Sequence, residues 1–392
     1  MDLEMENEHA PTPPAYIDSR SGRTYSLSEP RWRSDEGRPL MITPLPGVGR
    51  GDIHSGVRSL WRYAASFPIA IANPVSMGEG CTPLVEHPWR GGRAHFKLEW
   101  FAPTGSFKDR GASVMISALR QQGVTRLIED SSGNGGAAIA AYAAAAGIKA
   151  KILVPASTQP GKTVQMRAYG AEVELIPGSR QDTSDEAGRQ AERIFYASHN
   201  WQAFFLQGTK TLAYELWEDL GFRAPDNILI PTGAGSNVLG CDIGFGELMR
   251  SGEIKRLPRL FAVQPANCAP LYASFASGAE DCVRVETLPT IAEGTAIAKP
   301  VRTREVLAAI RRSGGAAVSV TEEEIVEAMN DLARTGLYVE PTSASAAAAL
   351  SGLVRRGVIR PEEATVVVLT GAGLKATQRI GELMGVLPTG AS

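Results

Sequence analysis

The sequence is poor in the residues that build disulfide frameworks and metal sites. It contains four cysteines and five histidines among 392 residues. No two cysteines form a C-x-x-C pair, and the histidines do not cluster at the spacing of metal ligands. The sequence therefore predicts neither disulfides nor a metal site, which shifts any chemistry towards an organic cofactor. Buried or partly buried free thiols are expected at Cys81, Cys241, Cys268 and Cys282.

A surplus of one charge and long apolar runs are also absent. The formal net charge is −2, which gives no electrostatic case for binding nucleic acid or an anionic membrane. No run reaches the roughly 18 apolar residues that a membrane-spanning helix needs. The first residues are acidic and lack the basic-then-apolar order of a secretion signal. We therefore expect a cytoplasmic protein without nucleic-acid or membrane partners.

The chain is long enough for two domains with sizeable cores. From about residue 93 onward, short β-branched or apolar runs alternate with helical stretches. This alternation favours an α/β architecture with parallel sheets covered on both faces. The predicted strands are 95–100, 127–129, 151–154, 172–176, 228–230, 260–263, 318–320 and 365–369, and the first predicted helices are 112–122, 135–146 and 162–169.

The first 55 residues differ from the rest, because they are rich in proline, glycine and charge and carry no recognisable motif. They are predicted to form an arm that wraps the remaining chain or is partly disordered. Residues 17–25 are predicted to form a small hairpin with a turn near Ser21 and Gly22.

The stretch PTGSFKDR, residues 103–110, places Lys108 in a glycine- and serine-containing turn where a helix begins. A lysine held there, short of bulk water, loses its proton more easily and can form an imine with an aldehyde. The ordinary alternative is a surface lysine that pairs with Asp109. The segments that follow along the chain favour the first interpretation.

Three further segments each follow an apolar run and contain closely spaced glycines. They are SSGNGG at 131–136, GAGSN at 233–237 and TGAGLK at 370–375. Glycines let backbone N–H groups approach an anionic group, and the N-terminus of a helix favours one. In this order, together with the lysine turn, the segments resemble the pyridoxal-phosphate enzymes of fold type II, most of all threonine synthase. The likeness runs from about Gly78 to about Lys375.

The resemblance implies two open, mostly parallel sheet domains of the tryptophan synthase β-like architecture, with the cofactor in the cleft between them. Residues 1–55 would form the arm, residues 56–106 and 217–392 the larger domain, and residues 107–216 a smaller, mobile domain. The resemblance also implies a homodimer that acts on a small amino-acid substrate.

The resemblance assigns roles to individual residues. Lys108 would hold the cofactor and shuttle protons, Asn134 would contact its phenolic oxygen and Thr370 its ring nitrogen. The phosphate would lie on Gly233, Ala234, Gly235, Ser236 and Asn237, and the substrate carboxylate on Ser131, Ser132, Gly133 and Asn134.

Structural alternatives remain for several of these residues. Asn134 and the serines suit helix capping, and Thr370 suits a turn at a strand end. The loop at 233–237 could also belong to a dinucleotide fold, but it lacks the G-x-G-x-x-G spacing.

Some positions depart from the threonine synthase pattern, and all of them are expected near the substrate. That family needs a charged grip for a second phosphate, yet its arginine position falls at Phe205 and its asparagine position at Gln202. Gly135 stands where threonine is usual, and Ala372 where histidine is usual. Lys210 matches another family landmark and would be a helix-surface residue without a role.

Three functions follow as alternatives. The first is the threonine synthase reaction, from homoserine phosphate to threonine and phosphate, with Arg180 or Arg302 compensating for the missing arginine. The second is β-elimination or β-replacement on an amino acid without a second phosphate, similar to serine or threonine dehydratases, which suits Phe204 and Phe205 better. The third is a catalytically idle relative that senses a metabolite, which the retained Lys108 disfavours.

Overall fold

The structure, a computed structural model, describes residues 13–90, 92–158 and 160–388. Its strands are β1 (Ala15–Ile17), β2 (Thr24–Ser26), β3 (Met41–Ile42), β4 (Leu84–Trp89), β5 (Gly92–Leu98), β6 (Arg126–Glu129), β7 (Lys149–Pro155), β8 (Glu172–Ile176), β9 (Phe195–Tyr196), β10 (Asn227–Pro231), β11 (Arg259–Pro265), β12 (Ala316–Val320) and β13 (Thr365–Leu369).

The α-helices are α1 (Lys108–Gln121), α2 (Asn134–Ala146), α3 (Pro160–Ala168), α4 (Arg180–Gln190), α5 (Ala203–Thr209), α6 (Thr211–Asp219), α7 (Ser236–Arg250), α8 (Pro270–Ala276), α9 (Thr303–Arg312), α10 (Glu322–Arg334), α11 (Pro341–Arg355) and α12 (Thr377–Leu383). Short 3₁₀ helices cover Arg50–Asp52, Leu60–Ser66, Ala266–Cys268, Glu293–Thr295 and Gly373–Ala376.

Two main sheets organise the described residues. The larger sheet has six strands in the order β12-β11-β10-β13-β5-β4, all parallel to their neighbours except β4. The smaller has four parallel strands in the order β8-β7-β6-β9. Parallel neighbours need crossover connections, which are helices here, so a central strand such as β13 is buried along its whole length. The predicted α/β fold is confirmed.

All the predicted strands and helices are present, with ends shifted by a few residues. Two strands of these sheets were missed. The edge strand β4 contains Pro88, which weakens a strand signal, and β9 has only two residues. The division into two domains stays a prediction, although the two sheets fall on either side of its proposed boundaries.

The described part of the N-terminal arm is folded. Its β1 and β2 pair as an antiparallel hairpin, with Gly22 at a φ of +72° in the turn, as predicted. Tyr16 is fully buried and packs edge-on against Phe204 of α5, at 5.9 Å between ring centroids. The first 12 residues of the predicted arm lie outside the described residues.

A buried ion network fixes the start of α1. Arg110 donates to Glu99 at 2.7 Å and to Glu215 at 2.9 Å, and Lys97 lies 2.6 Å from Glu215. Removing one member of such a network leaves an uncompensated buried charge and costs about 3–5 kcal/mol. The network therefore holds α1, and the lysine at its first position, against β5 and α6.

Two expectations about single side chains are wrong. Lys210 is fully buried, not on a helix surface, and it donates to Glu247 Oε1 at 2.9 Å and to Ser66 O at 2.6 Å. Cys81 and Cys282 are exposed rather than buried, whereas Cys241 and Cys268 are buried; all four are free thiols.

Candidate active site

Lys108 is the first residue of α1, and the turn before it lies on the carboxyl end of β13. Phe107 N donates to Thr370 O at 3.0 Å, and Ser106 pairs with Gly371 in an isolated bridge. Gly105 in this turn has a φ of +81°, where a residue with a Cβ would be strained. The predicted turn at a helix start is therefore present, and contacts with the larger sheet hold it.

The amine of Lys108 is surrounded by aromatic rings. Its Nζ lies 4.5 Å from the Phe107 ring centroid and 5.8 Å from that of Phe205. Burial lowers the pKa of Lys108 to about 8, although the carboxylates of Glu129 and Glu340 act in the opposite direction. At neutral pH this lysine is more often uncharged than an exposed one, and the uncharged amine is the form that attacks an aldehyde.

The alternative in which Lys108 pairs with Asp109 on the surface is wrong. Asp109 is buried and accepts hydrogen bonds from Thr104 N at 3.2 Å and from Thr104 Oγ1 at 2.7 Å. Burial raises the pKa of Asp109 to about 7. Asp109 therefore closes the turn and leaves the lysine unpaired by it.

The glycine loop 233–237 leads from β10 into α7. Gly235 has a φ of +90° and caps the helix, so α7 begins at Ser236 instead of near Val238 as the sequence suggested. A Cβ on Gly233 would lie 3.2 Å from Gly294 O, so the loop packs closely against residues 294–297. The resemblance placed Gly294 beside the cofactor ring, and this contact brings it next to the loop.

Asn237 has a buried side chain whose oxygen and nitrogen both lack a hydrogen-bond partner among the described residues. Buried polar groups are nearly always hydrogen-bonded, so such atoms indicate a bound group. The first backbone N–H groups of α7 also have no partner within the helix. A phosphate would satisfy both, and Ser236 and the partly exposed Ala234 belong to the same turn. The loop therefore fits the phosphate of pyridoxal phosphate.

Thr370 follows β13 directly and is buried. Its Oγ1 lies 3.0 Å from Ser343 Oγ, which also donates to Gly371 O at 3.1 Å and accepts from Gly371 N at 2.8 Å. The second hydroxyl, on Ser343, was missed because it lies in the first turn of α11, away from Thr370 along the chain. A neutral hydroxyl pair of this kind can hydrogen-bond to a pyridine nitrogen but does not hold a proton on it as a carboxylate would.

Asn134 begins α2 and does not cap it, because the capping position is Gly133 and no side chain caps the helix. Its Nδ2 instead donates to Glu340 Oε1 at 3.3 Å and Oε2 at 3.2 Å. Burial raises the pKa of Glu340. Glu340 was predicted only as part of a structural helix start, and the structure places its carboxylate in the site.

The serines before α2 line its N-terminal approach. Ser131 and Ser132 are half-buried and Gly133 is exposed, so this loop remains open to a small molecule. Gly133 N donates to Ser131 Oγ at 3.4 Å, a local bond within the loop. The loop follows β6 closely, so it lies at the carboxyl end of the smaller sheet, where open α/β sheets bind ligands.

Glu129, the last residue of β6, pairs with His199. The His199 Nδ1 lies 2.7 Å from Glu129 Oε1, and His199 N donates to Glu129 Oε2 at 3.1 Å. A Cβ on Gly135 would lie 2.6 Å from His199 Cε1 and 2.7 Å from Nδ1. The glycine at the usual threonine position therefore makes room for the histidine ring. The sequence analysis missed this pair because neither residue belongs to a motif.

The family positions for a second phosphate are apolar or committed elsewhere. Phe205 is fully buried and packs on Gly111, where a Cβ would lie 2.5 Å from its ring. Gln202 is buried and caps α5, accepting from Phe204 N at 2.6 Å. Neither residue offers a charge to a substrate.

The two arginines expected to compensate are also engaged. Arg302 is buried and donates to Asn200 O at 3.1 Å and to Met41 Sδ at 3.2 Å. Arg180 is partly exposed and pairs with Asp130 at 2.7 Å. Ala372 takes part in a backbone bridge with Val339.

No group of three or more acidic, histidine or cysteine side chains in the described residues is arranged to hold a metal ion. Among the same residues, no helix is long and apolar enough to cross a membrane.

Comparison with known proteins agrees with this site. The family model described as "Pyridoxal-phosphate dependent enzyme" matches residues 75–371. The threonine synthase of Methanocaldococcus jannaschii is 37% identical over 325 residues, which cover 81% of this chain and 80% of the relative. The threonine synthase of Synechocystis sp. is 36% identical over 324 residues, covering 80% of this chain and 82% of the relative.

Solved structures with the same fold include a threonine deaminase from the organism abbreviated T.th., with a TM-score of 0.62 and 28% identity, covering 74% of this chain and 92% of that one. An L-serine ammonia-lyase from Rhizomucor miehei has a TM-score of 0.68 at 24% identity, covers 78% of this chain and 98% of that one, and shows the fold alone.

The fold and the lysine site define a cofactor-dependent enzyme of fold type II. The chain belongs to the family of pyridoxal-phosphate-dependent enzymes. Within that family it is a lyase or synthase with a threonine synthase-like sequence, and its cofactor is pyridoxal phosphate.

Proposed function

We propose that this enzyme eliminates a leaving group bound through oxygen from Cβ or Cγ of a small amino acid, with Lys108 as its central catalytic residue. The observation that carries the proposal is the partly buried amine of Lys108, whose pKa burial lowers to about 8. Pyridoxal phosphate, when bound, supplies the electron sink for such eliminations. The chain itself binds, orients and moves protons.

Each part of the site has a distinct task in this proposal. The loop from Ser131 to Gly133 and the start of α2 hold the substrate carboxylate, because free backbone N–H groups there favour an anion. Lys108 Nζ removes the proton from Cα, which a depressed pKa makes possible near neutral pH. The loop 233–237 holds the cofactor phosphate, Asn134 its phenolic oxygen, and Thr370 with Ser343 its ring nitrogen.

The first candidate reaction is that of threonine synthase, from homoserine phosphate to threonine and phosphate. It is supported by relatives of that name at 37% and 36% identity over most of both chains.

The second candidate is β-elimination or β-replacement on an amino acid that carries no second phosphate. It is favoured by the buried Phe205 at the family arginine position and by the engagement of Arg180 and Arg302 in other contacts. A substrate phosphate needs a charge-assisted grip, and these side chains supply none directly.

One pair of assays tests the proposal. Phosphate release from O-phospho-L-homoserine and keto-acid formation from L-serine and L-threonine are measured on the same preparation. Phosphate release with threonine formation supports the first candidate, and keto acid without phosphate release supports the second. Failure of all three substrates, in a preparation whose visible absorbance shows cofactor bound to Lys108, would contradict both.

The proposal also includes a cytoplasmic location, a homodimer and no nucleic-acid partner. These follow from the near-neutral charge and from the family resemblance. Size measurement by light scattering tests the dimer, which predicts about twice the 41.7 kDa chain mass.

A further inference from the structure

Glu129 and His199 form a buried pair that the proposed function leaves without a role. The His199 ring uses Nδ1 to meet Glu129 at 2.7 Å, and its backbone N–H is bound to the other oxygen of the same carboxyl group at 3.1 Å. Its other ring nitrogen, Nε2, hydrogen-bonds to none of the described residues. The pair is thus oriented from one side and has one nitrogen to spare.

The local sequence gives the ring its place. Gly135 is the residue whose Cβ would overlap the imidazole, at 2.6 Å from Cε1. Another neighbour is Phe205, whose ring centroid lies 5.7 Å from that of His199. Two departures from the family pattern therefore surround the same histidine, and they are related through it.

The pair lies in the electrostatic range of Lys108. The Lys108 amine contacts the same Phe205 ring, at 5.8 Å from its centroid. Burial raises the pKa of Glu129 well above its ordinary value, and the charge of Asp130 acts in the same direction. Burial lowers the pKa of His199 well below its ordinary value, and Lys108 and Arg180 act in the same direction while Asp130 opposes them. Together these effects favour a neutral pair with one proton to transfer.

We propose that Glu129 and His199 form a proton-transfer pair that delivers a proton to the group leaving the substrate, while Lys108 removes the proton from Cα. The proposal rests on the proposed function and deepens it. A hydroxyl is a poor leaving group unless it is protonated as its bond to carbon breaks, so the pair suits a substrate that loses water.

The transfer balances as follows. The Cα–H bond breaks and its proton goes to Lys108 Nζ, while the bond from carbon to the leaving oxygen breaks with its electron pair on oxygen. That oxygen takes the proton from His199 Nε2, and Nδ1 takes the proton of the Glu129 carboxyl group. Afterwards Lys108 returns one proton to solvent and the pair takes one up.

The variant Glu129→Gln separates proton transfer from support of the ring. Glutamine keeps the shape and can still hydrogen-bond to Nδ1, but it has no acidic proton. Two quantities are measured with the holoenzyme and L-serine, L-threonine or O-phospho-L-homoserine: exchange of the substrate α-proton in D₂O by NMR, and product formation. We expect exchange to stay within about two-fold of wild type and product formation to fall about 10²-fold, the usual scale for a lost acid or base.

Two further variants guard against an unstable protein. His199→Asn should reproduce the effect, and Gly135→Ala should do so by displacing the ring instead of removing it. Glu172→Gln, an exposed residue on β8, is the control of the same chemistry and should leave both rates unchanged. Product formation by Glu129→Gln within about three-fold of wild type would overturn the proposal, as would exchange and product formation falling together.

A readout without turnover distinguishes failure of this proposal from failure of the proposed function. Nitrogen-15 NMR of histidine-labelled holoenzyme, with His199→Asn for assignment, should show a neutral His199 with its proton on Nε2 at pH 7. An imidazolium, or a proton on Nδ1, would overturn the proposal even if the enzyme is active. A wild type that neither exchanges the α-proton nor forms product would instead contradict the proposed function.

Discussion

The side-chain amide of Asn134 donates to both oxygens of Glu340, at 3.3 and 3.2 Å, and so joins the start of α2 to the start of α11. The first helix follows a strand of the smaller sheet and the second precedes a strand of the larger one. A Cβ on Gly371 would lie 2.5 Å from the same carboxylate. One buried carboxyl group therefore connects three segments of the site, and it also raises the pKa of Lys108.

Glu340→Gln should make Lys108 react faster with the cofactor near neutral pH. Loss of the carboxylate removes an interaction that raises the pKa of Lys108, so more of the amine is uncharged at pH 7. We expect the rate at which added pyridoxal phosphate produces its protein-bound visible band to rise roughly three-fold at pH 7, the scale of a half-unit shift in pKa. Glu172→Gln is the control, and an unchanged pH midpoint in Glu340→Gln would contradict the role given to this carboxylate.

Lys108→Met should stabilise the cofactor-free protein at neutral pH. Burial lowers the pKa of Lys108 from 10.5 to about 8, so the protonated amine disfavours the fold. The penalty is fully present below the folded-state pKa and disappears as the pH rises through the unfolded-state value. At about 1.4 kcal/mol for each pKa unit, the gain is no more than about 3 kcal/mol, less whatever solvent screens.

Urea unfolding of both cofactor-free proteins at pH 7 and at pH 10 measures this gain. It should be present at the lower pH and nearly absent at the higher. The same variant should show no visible band with pyridoxal phosphate that borohydride bleaches. A band of wild-type strength would mean that another amine holds the cofactor.

Asn237→Leu should stabilise the cofactor-free protein and weaken cofactor binding. Both polar atoms of its buried side chain lack partners, and each such group costs about 1–3 kcal/mol. We expect a gain of about 1 kcal/mol in the free energy of unfolding, together with at least about a ten-fold rise in the Kd for pyridoxal phosphate, the scale of one lost hydrogen bond to a charged group.

Asn227 is the matched control for this exchange, because its buried side chain is fully paired, with Arg259, Glu363 and Thr365. Asn227→Leu should lower the free energy of unfolding by about 2 kcal/mol. Equal losses in the two variants would show that Asn237 has partners without the cofactor.

Gly235→Ala should damage the phosphate loop by two separable effects. The residue has a φ of +90°, and an added Cβ would lie 2.3 Å from Val306 Cγ2. Gly357 has a φ of +67° and nothing within 4 Å of such a Cβ, so Gly357→Ala isolates the backbone term. We expect a loss of about 1 kcal/mol in thermal or urea unfolding for Gly357→Ala and at least about twice that for Gly235→Ala. Similar losses would show that the loop can move away from Val306.

Local signals were sufficient for the cofactor and for most of the fold. The alternation of apolar runs and helices predicted most strands of both sheets, because strands covered on both faces are apolar throughout. The lysine turn and the glycine loops were recognisable because turn geometry and phosphate binding restrict residue type at neighbouring positions. The helix start at Ser236 was misplaced by two residues because the left-handed cap at Gly235 is a property of the folded backbone.

The partners of the site residues could not be found in the same way. Glu340 lies 206 residues from Asn134, Ser343 lies 27 from Thr370, and His199 lies 70 from Glu129. Nothing in the local pattern of Glu129 distinguishes a buried carboxyl group at a strand end from an exposed one. Its role became visible only when parallel pairing of β6 with β9 brought His199 to the same edge of the sheet.

The amino-acid sequence by itself determined the α/β fold, the pyridoxal-phosphate chemistry and the lysine that carries it, because each depends on short segments whose geometry constrains their residues. Only the tertiary structure decided which charges surround that lysine and which pair lies beside it. Those contacts join residues that are distant along the chain, and burial, which shifts their pKa values, exists only once the chain is folded.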